Sequence, residues 1–119
     1  MDNDRPGSDK RQHTRVKTSN LISYVCINES GSETGQGMGK AEDVSQGGML
    51  LRTYAPISAR FIVIMAINLS NKLIRIKGQI THTRKTGSGE YLTGIRFIET
   101  PEKQNKIIAD FIKIYHHRK

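Results

Sequence analysis

Asp43-Val44-Ser45-Gln46-Gly47-Gly48 sets an acid, a hydroxyl and two adjacent glycines at the boundary between two stretches of strand-like sequence. Such a set suits a flat, donor-rich ring such as guanine. A short carboxylate accepts from ring and exocyclic N–H groups, a hydroxyl donates or accepts beside it, and glycines let backbone come close to the ring while adopting positive φ. The same residues also fit a β-turn or bulge in which Asp43 and Ser45 bond their own backbone. Upstream, Arg11 and Arg15 stand four residues apart. Each guanidinium can stack on a base and make a paired hydrogen bond to guanine O6 and N7, or to phosphate. In a chain with nine arginines, this pair taken alone equally fits a solvated charge cluster.

Other chemistries find little support. Gly35, Gly37 and Gly39 precede Lys40 as in a phosphate-binding loop, but Gly35 stands one position too late, Ala41 replaces the needed Ser or Thr, and no helical pattern follows. Metal binding lacks a Cys pair, and His116 and His117 are adjacent and so fall on different helix faces. His13 and His82 read as isolated, solvated imidazoles. No Ser or Cys has a base and an orienting acid at a spacing that would activate it. Cys26, the lone cysteine, reads as a small half-buried hydrophobe in a strand. The expectation is a protein that is not an enzyme and carries no catalytic residue, metal or cofactor.

The elements around these residues are mostly strands. Val16 to Ile27 is rich in β-branched and apolar types and reads as a first strand. Asn28 to Gly39 holds four glycines among polar residues and is expected to be an exposed loop or hairpin connection, with a short strand around Met38 to Val44 after it. Met49 to Thr53, Phe61 to Ile67, Lys72 to Arg84 and Tyr91 to Glu99 follow as strands, separated by Pro56, by a hairpin at Asn68 to Asn71 and by a tight turn at Thr86 to Gly89. Thr100-Pro101-Glu102 supplies an N-cap, a proline at the first helical position and an acid in the first turn. Ile107, Ile108, Phe111, Ile112 and Tyr115 share one face of the helix that follows, opposite Lys106, Asp110 and Lys113. The sum is an all-β barrel of about six antiparallel strands with one C-terminal α-helix laid over its open end or side.

At 119 residues the chain is long enough for one core. Residues 1–10 are polar and should form a flexible N-terminal tail, leaving 11–119 as a single domain. The formal charge of +8 favours an anionic partner without choosing among nucleic acid, nucleotide and acidic protein. The start is hydrophilic and the longest apolar run, Phe61 to Ile67, is too short to span a bilayer as a helix, so a cytoplasmic protein with no membrane insertion is expected.

Arg11-x-x-x-Arg15 followed some thirty residues later by Asp43-x-Ser45-x-x-Gly48 resembles the PilZ domain, a bacterial receptor module for the second messenger cyclic di-GMP. Thr93-Gly94-Ile95-Arg96-Phe97 is similar to the family's glycine-and-aromatic last strand, and the likeness runs from about Lys10 to Tyr115. The resemblance implies a six-stranded antiparallel barrel with a C-terminal helix, in agreement with the strand reading. It further implies cyclic di-GMP as ligand, with Arg11 and Arg15 clamping it, Asp43 and Ser45 reading a guanine, Gly48 shaping the turn, and Gly47 and Lys10 beside them. Lys10 stands where the family often has arginine, which leaves one ligand or a stacked pair open. Signalling would pass through a changed surface offered to a downstream protein partner. Two other functions remain beside this one: a small basic β-barrel binding RNA or single-stranded DNA, disfavoured by the shortage of aromatics for base stacking, and a ligand-free module of the same fold that binds protein only.

Overall fold

The computed structural model describes residues 15–67 and 73–117. These residues form six strands, β1 (Val16–Ile27), β2 (Glu33–Val44), β3 (Gly48–Thr53), β4 (Phe61–Ile67), β5 (Leu73–Lys85) and β6 (Tyr91–Ile98), followed by helix α1 (Glu102–His117). The strands close into an antiparallel barrel in the order β1-β2-β3-β6-β5-β4, with β4 pairing back onto β1 through partners such as Tyr24 and Ile64. Closure removes every sheet edge, which suits a chain whose strands are joined by short turns. The expected all-β barrel with one C-terminal helix is therefore the observed fold. The tail at residues 1–10 and the hairpin expected at Asn68 to Asn71 lie outside the described residues.

Alternation fills the interior. Ile22 and Tyr24 from β1, Leu51 from β3, Ile62 and Ile64 from β4, Ile74 and Ile76 from β5 and Ile95 from β6 are all buried. The helix closes one end of this core. Ile108, Phe111 and Ile112 are buried, and a small apolar cavity lies where Ile108 and Phe111 meet Ile22, Ile64, Ile74 and Ile76. Lys106, Asp110 and Lys113 face solvent, as the helical period requires. Asn105 N donates to Pro101 O at 3.0 Å to start the helix, and Gln104 Oε1 accepts from Arg75 N at 3.1 Å to tie its first turns to β5. The last strand ends at Ile98, one residue before the expected limit. Glu99 takes a left-handed conformation, φ 52°, where the chain turns toward the helix.

One element differs from expectation. The glycine-rich stretch 33–39 is not loop: only Asn28 to Ser32 turns, with Asn28 Oδ1 accepting from Ser30 N at 3.0 Å and Ser32 N at 2.9 Å, and β2 begins at Glu33. The reason lies across the ladder, where Ile22 pairs with Gly39, Tyr24 with Gly37 and Cys26 with Gly35. Three buried side chains of β1 thus each face a glycine. A Cβ at position 37 would fall 2.4 Å from the Tyr24 hydroxyl oxygen, so the ring occupies the room the missing side chain leaves. Composition suggested a loop or hairpin connection, while the spacing of these glycines follows the strand period of two.

Among the described residues no helix is long and apolar enough to cross a membrane.

Candidate functional site

The turn between β2 and β3 is pinned from within. Ser45 N donates to Gly48 O at 2.8 Å, the Ser45 hydroxyl donates to the same carbonyl at 3.3 Å, and Gly47 N donates to Ser45 Oγ at 3.3 Å. Ser45 is 2% exposed, so its hydroxyl holds the corner together in this structure. Phe97 N then donates to Gly47 O at 2.9 Å and docks the corner on β6.

The glycines act differently from the expectation of positive φ. Only Gly31 and Gly89 take positive φ among the described glycines. Gly48 is needed for a close approach, but of the protein's own backbone: a Cβ there would sit 2.1 Å from Ile95 O. The pairing of Gly48 with Arg96 explains the crowding, because β3 starts directly against β6. A flat ligand is not what requires the missing side chain at this position.

Asp43 owes its orientation to a bulge. The ladder between β2 and β3 slips between Ala41 and Asp43, leaving Glu42 as the extra residue. Ala41 and Val44 both remain buried in the barrel, while Glu42 and Asp43 both reach the outer surface. The two acids then meet two different arginines. Glu42 Oε2 accepts from Arg52 Nε at 2.8 Å, and Arg52 Nη1 also donates to Glu90 Oε1 at 2.8 Å. These bonds, to Glu42 first and then to Glu90, push the already high Arg52 pKa further up and fasten β3 to β2 on one side and to the residue leading into β6 on the other. Asp43 Oδ1 accepts from Arg15 Nη1 at 2.5 Å. The Asp43 side chain is 13% exposed and that of Arg15 60%, so the arginine reaches in from solvent to a carboxylate set in a wall.

Arg15 and Asp43 border a groove of about 1000 Å³ on the outside of the barrel. Its floor and rims come from Ser45, Gly47 and Gly48 at the corner, Leu50 on β3, Thr81 and His82 on β5, and Arg96 and Phe97 on β6. Of the expected site residues, Arg15, Asp43, Ser45, Gly47 and Gly48 come together here. Lys10 and Arg11 lie outside the described residues. The volume lies at the upper end of the range of small-molecule pockets, and the groove offers an acceptor at one rim and cationic donors at both sides.

The sequence matches the PilZ domain family over residues 9–113. The chain belongs to the PilZ domain family. No curated protein matches it. Among solved structures, the fold resembles Bacillus subtilis MotI/DgrA, an inhibitor of motility, with a TM-score of 0.73 and 10% identity over 92% of this chain and 52% of that one. The PilZ domain of Escherichia coli YcgR with c-di-GMP gives a TM-score of 0.61 and 14% identity over 92% of this chain and 93% of that one. The K. pneumonia MrkH–c-di-GMP complex gives 0.63 and 16%, over 92% and 54%. This PilZ domain therefore spans about half the length of the MotI and MrkH chains and nearly all of the YcgR domain.

The far wall of the groove escaped the sequence reading. In β5 the ladder slips again, between Ile80 and His82, and the run Thr81-His82-Thr83 is exposed on consecutive positions. Thr81 Oγ1 donates to Gly94 O at 3.0 Å and lies 3.0 Å from His82 Nδ1. The imidazole lies over Gly94, where a Cβ would fall 2.2 Å from His82 Cε1. One signal was available: the apolar alternation of Ile74, Ile76 and Ile80 stops there, and five polar residues follow within the same strand.

Proposed function

We propose that this PilZ domain is a non-enzymatic receptor for cyclic di-GMP, with Arg15 and Asp43 as the centre of its binding site and Lys10, Arg11, Ser45, Gly47 and Gly48 contributing. The observation that carries this reading is the meeting of Arg15 and Asp43 at the rim of the groove, beside the Ser45 to Gly48 corner. The c-di-GMP complexes of the similarly folded YcgR domain and MrkH add support.

The chemistry follows from what each group can exchange. The Asp43 carboxylate now accepts an N–H from Arg15. The edge of guanine presents a ring N–H and an exocyclic amine, so it can replace the guanidinium at the same oxygens. Arg15, once released, can stack on a base face or donate to a phosphate, and Arg11 supplies a second fork for the same purpose. Ser45 contributes by fixing the corner that holds Asp43 in place and, where its bond to Gly48 O opens, by direct contact. Closing of the arginine-bearing N-terminal segment over the ligand would then alter the surface offered to a downstream protein partner.

Calorimetric titration with cyclic di-GMP tests the reading and reports the molar ratio, one ligand or a stacked pair. Saturable binding is expected, weakened by Arg11→Ala, Arg15→Ala and Asp43→Ala. Loss of a charge-assisted contact costs about 1.5–3 kcal/mol, or roughly 10- to 150-fold in Kd. Unchanged binding in both Arg15→Ala and Asp43→Ala would sink the assigned site, and salt-dependent oligonucleotide binding without dinucleotide binding would favour a nucleic-acid barrel instead.

A further inference from the structure

Among the described residues Arg15 and Arg96 are the arginines that line the groove, and they are held differently. Arg15 pairs with Asp43, Arg52 with Glu42 and Glu90, and Arg60 with Glu29, whereas no carboxylate among the described residues pairs with Arg96. Its Nη2 instead donates to Gln79 Oε1 at 2.6 Å. A neutral amide orients a guanidinium without cancelling its charge, and the remaining N–H donors stay available. The side chain is exposed and lines the groove.

Its backbone is also held firmly to the corner. Arg96 is the ladder partner of Gly48 on one side and of Gln79 on the other. The bond from Phe97 N to Gly47 O fixes the next residue. The guanidinium thus springs from a rigid strand rather than from a tail, and it stands on the opposite side of the corner from Arg15.

We propose that Arg96 is a second anion-binding pole of the groove and contacts a phosphodiester oxygen of the bound cyclic dinucleotide, with Gln79 as the residue that positions it. This rests on the receptor reading above. Two phosphodiesters bridge the guanosines of a cyclic dinucleotide, and two cationic poles flank the corner. Arg15 serves one only after leaving Asp43, while Arg96 has no carboxylate to leave among the described residues.

The experiment is a cyclic di-GMP titration of the full chain, wild type against Arg96→Gln, Arg96→Lys and Gln79→Ala, at several ionic strengths, with urea unfolding as a check on folding. Arg96→Gln should weaken binding about tenfold or more at an unchanged urea midpoint. Its binding should also vary less with salt than the wild type's. Arg96→Lys, which keeps the charge and loses the fork, should keep the salt dependence and recover part of the affinity. Gln79→Ala should fall between wild type and Arg96→Gln. Wild-type binding with Arg96→Gln unchanged in both affinity and salt dependence would overturn the inference alone. Inability of the wild type to bind would overturn the receptor reading and the inference with it. Inorganic phosphate binding to the wild type in the absence of dinucleotide binding would likewise reassign the pole to free phosphate.

Discussion

Arg15, at the threshold of β1, donates to Asp43 at the end of β2 across 28 positions of sequence, at 2.5 Å. The pair is open to water on the arginine side, so its contribution to folding is small, about 0–1 kcal/mol. Its contribution to recognition is not limited in that way, because the carboxylate is held in place by the barrel. Arg15→Ala should therefore shift the urea midpoint by less than the equivalent of about 1 kcal/mol. The same substitution should weaken cyclic di-GMP about tenfold or more. A large stability loss with unchanged affinity would assign the pair to the fold instead.

Ser45 gives the opposite balance. Its buried hydroxyl accepts from Gly47 N and donates to Gly48 O, so Ser45→Ala leaves Gly47 N short of a partner, while Gly48 O keeps the bond from Ser45 N. Unfolding in urea should show a loss of about 1–3 kcal/mol. Ligand affinity should fall as well, since the corner that presents Asp43 loosens. A variant as stable as wild type would show that water replaces the hydroxyl without cost.

Gly48→Ala tests why glycine ends the motif. The new Cβ would meet Ile95 O at 2.1 Å, a backbone atom that moves only if β3 and β6 part. Overpacking of this kind costs about 1–3 kcal/mol or more. Gly87→Ala is the control: nothing lies within 4 Å of its Cβ position and its φ is not positive, so that variant should be neutral or slightly stabilised. Equal effects at the two positions would remove the close-approach argument.

The fold was legible because its signals are local. β1 and β4 carry the bounds expected of them, and the helix starts where Pro101 and Glu102 predict. The motif residues were legible by type and spacing, which brought out Arg15, Asp43 and Ser45 before any geometry. What stayed hidden depends on partners distant in sequence. Gly35, Gly37 and Gly39 looked like a loop because composition does not reveal that Cys26, Tyr24 and Ile22 stand opposite. Arg96 and His82 looked like ordinary strand residues, since only barrel closure through β6 brings them beside the Gly47–Gly48 corner. The role of Gly48 was misread for the same reason: what crowds it is a carbonyl 47 residues away, at Ile95.

The interior makes a prediction at alkaline pH. Burial raises the Tyr24 phenol above its ordinary 10.0, with Cys26 nearby adding to the effect, and burial alone raises the Cys26 thiol above its ordinary 9.0. Both groups are neutral when protonated, so the folded chain keeps protons that the unfolded chain releases. Unfolding is then linked to proton loss, and stability falls as pH climbs from the unfolded value of each group toward its folded value. Below about pH 8 both groups are protonated in either state and contribute no slope. Urea midpoints measured from about pH 7 to about pH 11 should be level at first and then decline, the thiol acting first and the phenol after it. Lysines titrate over the upper part of this range too, so the comparison with variants carries the test. Cys26→Ala should remove the earlier part of the decline and Tyr24→Phe the later part, each relative to its own value at neutral pH. Midpoints in both variants that fall in parallel with wild type would show that neither group drives the alkaline loss.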